Sequence, residues 1–110
     1  MIIRLNAEKL LNVHEMFENQ LKVSLSKDLK RFNDYITSLE VHFTDENGFK
    51  TGPNDIKCIL EAHLKGMKSV VVKATENTLE QSVHGAIDKL KDSLDSIIGR
   101  ARDHEQHATT

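Results

Sequence analysis

Residues 37–45, TSLEVHFTD, decide the fold, because polar and apolar side chains alternate from Ser38 to Thr44. In an extended chain the apolar members point to one side and the polar members to the other. The apolar members are Leu39, Val41 and Phe43. The period of two therefore predicts a strand with one buried face and one face open to water.

The same alternation recurs in residues 57–65, KCILEAHLK, and residues 69–76, SVVVKATE. Their predicted inward side chains are Cys58, Leu60, Ala62, Leu64, Val70, Val72 and Ala74. Residues 45–55, DENGFKTGPND, contain Asn-Gly and the only proline, which predicts a long hairpin loop. Residues 65–67 predict a tight turn, and residues 1–6, MIIRLN, are a candidate first strand.

Apolar residues at helical spacing predict two helices, one from Asn12 to about residue 33 and one from Leu79 to Gly99 or beyond. Asn12 and Thr78 both stand at the N-cap position of a capping-box pattern. The first apolar stripe is Val13, Phe17, Leu21, Leu25, Leu29 and Phe32. The second is Leu79, Val83, Ala86, Ile87, Leu90, Leu94, Ile97 and Ile98.

The predicted order of elements is β-α-β-β-β-α. Because each strand has one polar face, we expect an α+β two-layer sandwich, with a four-stranded mixed sheet and both helices packed on one face. The first β-α-β passage would be a parallel crossover, and the remaining strands an antiparallel meander. We expect one domain over residues 1–102 and a flexible tail over residues 103–110.

Composition restricts the class of protein. The chain of 110 residues has a net charge of −2, which argues against a general nucleic-acid binder but permits a local basic patch. Cys58 is the only cysteine, so no internal disulfide can form and a reducing compartment is indicated. The first residues lack the features of a signal peptide, and no apolar run is long enough for a membrane span. We therefore expect a cytoplasmic protein with no membrane partner.

Four segments in this order resemble the ribosome hibernation-promoting factors, a family also called ribosome-associated inhibitors or sigma-factor modulation proteins. They are RFNDYITSLEVHFTDENG (31–48), DIKCILEAHL (55–64), VVVKA (70–74) and AIDKLKDSL (86–94). The resemblance covers about residues 1–102. It implies the same β-α-β-β-β-α fold, in a small bacterial protein that binds the small ribosomal subunit in the channel for messenger and transfer RNA.

The resemblance also implies inhibition of translation during stress or stationary phase. It implies no catalysis, no cofactor and no small-molecule substrate. A chain that ends at residue 110 would be a short member, without the C-terminal dimerising domain of the long ones.

In the family, basic side chains on the two helices contact ribosomal RNA. The candidate RNA-binding residues here are Lys22, Lys27, Lys30, Arg31, Lys89, Lys91, Arg100 and Arg102. At about 100° per residue, Lys30 lies nearly opposite the first apolar stripe and Lys27 close to that side. The simpler interpretation is electrostatic, since cations are favoured near a helix C-terminus and mixed charges are typical of a solvated helix face.

The second helix also carries acids on its exposed side. Asp92 stands where many family members have arginine, and Asp88 and Asp95 lie nearby. These acids motivate an alternative function, a protein–protein interaction module of the same fold that has lost ribosome binding.

The open sheet face carries His42, His63, Glu40 and Glu61, a donor set that suits zinc. No short ligand spacing such as CxxC or HExxH is present, so polar cross-strand pairs are the simpler interpretation and no metal is predicted. Ile59 and Val71 on this face leave open a partner surface or a weak homodimer, against ordinary cross-strand packing.

An enzyme is not predicted. Cys58 falls on the inward face of its strand, where a thiol is an inert small hydrophobe. No glycine-rich phosphate loop and no acid–base pair accompany it.

Overall fold

The computed structural model describes the backbone of residues 1–7, 15–45 and 55–108, and side chains at residues 1–7, 16–45 and 55–100. The predicted cap at Asn12 and most of the predicted loop 45–55 lie outside the described residues. The elements are β1 (Ile2–Ala7), α1 (Glu15–Asp28), a 3-10 turn (Lys30–Phe32), β2 (Ile36–Asp45), β3 (Ile56–Leu64), β4 (Val70–Glu76) and α2 (Leu79–Ala108).

The four strands form one sheet in the order β1-β2-β3-β4. β1 is parallel to β2, while β2 with β3 and β3 with β4 are antiparallel. The predicted β-α-β-β-β-α order, the mixed sheet and the α+β two-layer class are confirmed. Among the described residues, no helix is long and apolar enough to cross a membrane.

The core lies between the sheet and the two helices. Across the sheet, Phe43 pairs with Cys58 and Cys58 with Ala74, so inward residues of β2, β3 and β4 form continuous rows. From the helices, Leu25 and Leu90 are fully buried against these rows. The alternation seen in the sequence is therefore the alternation of core and solvent, as predicted.

The end of the first helix differs from the prediction. α1 stops at Asp28, and the chain tightens into a 3-10 turn, in which the Phe32 N–H donates to the Leu29 carbonyl at 3.0 Å. The Tyr35 N–H then donates to the Phe32 carbonyl at 2.9 Å. This tighter winding buries Phe32 and leaves Lys30 exposed, close to the start of β2.

α2 begins as the sequence predicts. The Gln81 N–H donates to Thr78 Oγ1 at 3.1 Å, which satisfies one free backbone donor of the first turn. Gly85 allows α2 to approach β4, because a Cβ there would lie 3.1 Å from Ala74 Cβ. The helix continues to Ala108, so its backbone includes part of the predicted tail 103–110, whose flexibility stays a prediction.

Candidate nucleic-acid interface

A basic patch lies where α1 ends. Lys27 in the last turn of α1 and Lys30 and Arg31 in the 3-10 turn are all exposed. They line one shallow surface depression together with Asp28 and Asp34. Because the carbonyl end of a helix carries partial negative charge, cations are stabilised here whether or not RNA binds. We call Lys27, Lys30 and Arg31 the α1-end patch.

Arg31 forms a bidentate ion pair with Asp95 of α2. Its Nη1 donates to Asp95 Oδ1 at 2.7 Å and its Nη2 to Oδ2 at 2.8 Å. The guanidinium also lies over the Phe32 ring, with Cζ 4.2 Å from the centroid. The hydrogen bonds from Arg31 lower the pKa of Asp95, and the same bonds raise the pKa of Arg31. The positive charge of Arg31 is thus matched within the protein.

Lys27 and Lys30 are in a different position from Arg31. Neither side chain forms an ion pair with any side chain that the structure describes. Lys22, one turn before the patch, lies 3.5 Å from Glu18 Oε1 in an i, i+4 pair. Of the candidate cations on α1 and the 3-10 turn, Lys27 and Lys30 are therefore the most available to an outside anion.

The candidate cations of α2 lie on two different flanks. Lys89 Nζ donates to the Lys73 carbonyl of β4 at 2.7 Å, which places Lys89 at the outer edge of the sheet. Lys91 is four residues before Asp95 and therefore shares the flank that faces α1. Arg100 Nε donates to a backbone carbonyl of its own helix, that of Ser96, at 3.3 Å.

These positions do not form one continuous basic band over the described surface of the helices. Lys91 lies on the α1 side, Lys89 on the β4 side, and Asp95 is inserted next to Arg31. Arg102 belongs to the backbone of α2, but its side chain lies outside the described ones. The structure thus brings Lys27, Lys30 and Arg31 together at the end of α1. Lys91 lies on the side of α2 that faces α1, across the groove between the two helices.

The open sheet face contains the polar group noted in the sequence. Glu40 on β2 lies directly opposite Glu61 on β3, and His63 Nε2 lies within 4 Å of a carboxylate oxygen of each. Of the described residues, these three are close enough to hold one metal ion.

Cys58 is fully buried in the sheet, where desolvation raises the pKa of its thiol to about 12, so it cannot serve as a nucleophile near neutral pH.

The family model described as "Sigma 54 modulation protein / S30EA ribosomal protein" matches residues 9–102. The chain belongs to this family. The family consists of ribosome-associated modulation factors, which agrees with the resemblance seen in the sequence.

Among solved structures, the chain is similar to the crystal structure of the Protein Y N-terminal domain from Thermus thermophilus. The TM-score is 0.64 at 16% sequence identity, and the match covers 88% of this chain and 99% of the other. At this identity the likeness supports the fold alone. No curated protein sequence matches the chain.

The sequence did not show the partners of the candidate cations. Arg31 and Asp95 are 64 positions apart, and no local spacing pairs them. The acidic character of the second helix was visible, yet which acid would meet which base depends on how the two helices pack. The contact of Lys89 with the Lys73 carbonyl of β4 could not be predicted from the sequence either.

Proposed function

We propose that this protein is a ribosome hibernation factor of the cytoplasm, which binds the small ribosomal subunit in the channel for messenger and transfer RNA and inhibits translation in stress or stationary phase. Family membership over residues 9–102 carries the proposal. The exposed α1-end patch supports it, because a protein that enters an RNA channel must present cations to phosphate. We propose residues 1–102 as the domain that binds.

The mechanism is steric occupancy, with no chemical step and no cofactor. The sheet and helices form one packed unit, so exposed lysines project from a rigid surface. Lys27 and Lys30 would contact phosphates first, since their charges are not matched by described side chains. Arg31 would contribute only if a phosphate replaced Asp95 as its bidentate partner, an exchange that guanidinium geometry permits.

The other candidate cations would contribute less. Lys91 lies near the α1-end patch and can join it, whereas Lys89 and Arg100 already donate to backbone carbonyls. Lys22 has Glu18 beside it, and Arg102 is proposed on position alone. Attraction of these charges to ribosomal RNA would increase the association rate and weaken as salt rises.

Co-sedimentation tests the proposal. Purified idle small subunits from the same host are mixed with the full chain and centrifuged through gradients at increasing salt. We expect the protein in the subunit fraction at low salt and at the top of the gradient at high salt. If it stays at the top at every salt concentration, the proposal is wrong for this chain.

A second function is favoured by the Arg31–Asp95 pair. A module that had lost ribosome binding would keep the fold while its acids neutralised the basic patch, as Asp95 does for Arg31. Such a module would bind a protein partner in place of RNA. This second function predicts no co-sedimentation with small subunits, whereas a hibernation factor is expected to co-sediment. The same gradients therefore separate the two functions.

A weak homodimer stays a prediction that sedimentation equilibrium can test.

A further inference from the structure

The register of the sheet places two carboxylates directly opposite each other. Glu40 of β2 and Glu61 of β3 are Cα partners in the antiparallel ladder, and both side chains lie half-buried on the open face. Like charges in such a cross-strand pair are destabilising on their own. The arrangement is therefore improved by any cation that contacts both carboxylates.

His63 stands beside both carboxylates. Its Nε2 lies 3.4 Å from Glu61 Oε1 and 3.8 Å from Glu40 Oε2. His42 Nε2 lies 3.8 Å from the same Glu40 oxygen, but His42 pairs with Ile59 on the other side of Glu40 and is not part of this group of three. In a tetrahedral site with metal–ligand distances of about 2.0–2.1 Å, neighbouring ligand atoms are about 3.3 Å apart. The two separations from His63 Nε2, 3.4 and 3.8 Å, are close to that value.

The other ring nitrogen of His63 has its own partner. Nδ1 lies 2.9 Å from the Ser69 hydroxyl, in the connection between β3 and β4. When Nδ1–H donates to that oxygen, Nε2 is left with its lone pair directed at the carboxylates. Metal-binding histidines are held in this way, by a hydrogen bond from the nitrogen that does not bind the metal. The Thr37 hydroxyl donates to the His63 carbonyl at 2.9 Å, which further fixes this residue on the strand.

We propose that Glu40, Glu61 and His63 bind one divalent transition-metal ion whose fourth position is open to water, and that Zn²⁺ is the ion that fits best. The donor atoms are imidazole nitrogen and carboxylate oxygen, a set that zinc accepts in tetrahedral geometry. Because no thiolate takes part, a soft ion such as Cu(I) is not favoured. The site lies on the face opposite the helices, and it is independent of the proposed ribosome binding.

Arg4 is the competing cation. Its Nη1 lies 3.9 Å from Glu40 Oε1, across the parallel pairing of β1 with β2. The Arg4 side chain is 65% exposed, so it can turn into solvent when a metal ion takes its place. Lys57 and Lys73 are also on the open face, and they add positive potential that opposes a dication. The site is therefore expected to bind zinc less tightly than a fully enclosed structural site.

Titration of the tag-free full chain with Zn²⁺ alone tests the proposal. We expect one ion per chain by isothermal titration calorimetry and a rise in melting temperature with added Zn²⁺, since an ion that binds only the folded state stabilises it. His63→Gln and Glu61→Gln should each lower affinity at least tenfold and reduce the rise in melting temperature. Ser69→Ala should lower affinity by about tenfold through ring orientation.

Two controls keep the result specific. His84→Gln changes an exposed histidine of α2, and the double variant His104→Gln/His107→Gln changes histidines beyond residue 100; both should bind Zn²⁺ like the parent. Circular dichroism checks that each strand variant remains folded. The proposal is overturned if His63→Gln and Glu61→Gln bind Zn²⁺ as tightly as the parent, or if binding disappears with His104→Gln/His107→Gln instead.

Discussion

Arg31 of the 3-10 turn and Asp95 of α2 are joined by two hydrogen bonds of 2.7 and 2.8 Å, which connect the end of the first helix to the middle of the second. The contact has two consequences. It bridges the 3-10 turn and α2 on the surface, and it neutralises one member of the α1-end patch. The pair is exposed, so its contribution to stability is small, while its effect on the surface charge is direct.

Asp95→Asn should strengthen binding to small ribosomal subunits. The substitution removes a negative charge beside the α1-end patch and releases the Arg31 guanidinium for phosphate. We expect affinity to rise by about threefold to tenfold and the salt dependence to become steeper. Equilibrium binding to labelled subunits over a salt series measures both quantities.

Glu80→Gln is the matched control, because it changes the net charge equally but lies in the first turn of α2. A rise of the same size for Glu80→Gln would show that net charge alone matters. Unchanged or weaker binding by Asp95→Asn would exclude Arg31 from the interface.

Lys30→Glu should weaken subunit binding more than Lys68→Glu. Both lysines are exposed, but Lys30 belongs to the α1-end patch and Lys68 to the connection between β3 and β4. We expect Lys30→Glu to reduce affinity at least about tenfold, because a hydrogen bond to a charged group contributes roughly 1.5–3 kcal/mol. Equal losses from the two variants would place the contact elsewhere.

The Cys58 thiol should react with a thiol reagent only after the sheet opens. Burial raises its pKa to about 12, so the folded protein carries no thiolate at pH 8. The folded-state pKa is raised, so this group leaves stability unchanged below about pH 9. Above that pH the unfolded chain ionises first and stability falls towards pH 12. Labelling rates in increasing urea should follow global unfolding; fast labelling of the native protein at pH 8 would contradict the burial.

Two glycine-to-alanine substitutions should have opposite effects on stability. Gly99 is inside α2, and a Cβ there meets nothing within 4 Å, so Gly99→Ala should raise the free energy of unfolding by about 0.5–1 kcal/mol. Gly66 has φ +73° in the turn after β3, so Gly66→Ala should lower it by about 1 kcal/mol. Urea denaturation of both variants measures the difference, and a destabilised Gly99→Ala would contradict the open space beside Gly99.

The strands and helices were predictable because short stretches of sequence determine them. Alternation through Leu39, Val41 and Phe43 assigned the core face of β2, and the Thr78 cap located the start of α2. The end of α1 was less predictable, since Leu29 and Phe32 continue a helical spacing although the backbone has changed to a 3-10 turn. Spacing of three or four residues cannot separate these two windings.

The candidate site was predictable only as a set of residue types. The helical spacing of the first apolar stripe was enough to predict that Lys27 and Lys30 lie near the exposed end of a helix. That Arg31 is matched by Asp95 depends on the packing of helices far apart in sequence. The sheet-face group needed one further fact, the register that places Glu40 opposite Glu61. Alternation alone indicates a face but not which residues on it are neighbours.

Competition with the natural occupants of the channel tests the central claim most directly. Small subunits are first loaded with messenger RNA and transfer RNA, or left vacant, and each sample is centrifuged with the full chain at low salt. Occupancy of the channel predicts that the protein sediments with vacant subunits and is excluded from loaded ones. Equal sedimentation with both samples would show binding outside the channel, and no sedimentation with vacant subunits would contradict ribosome binding altogether.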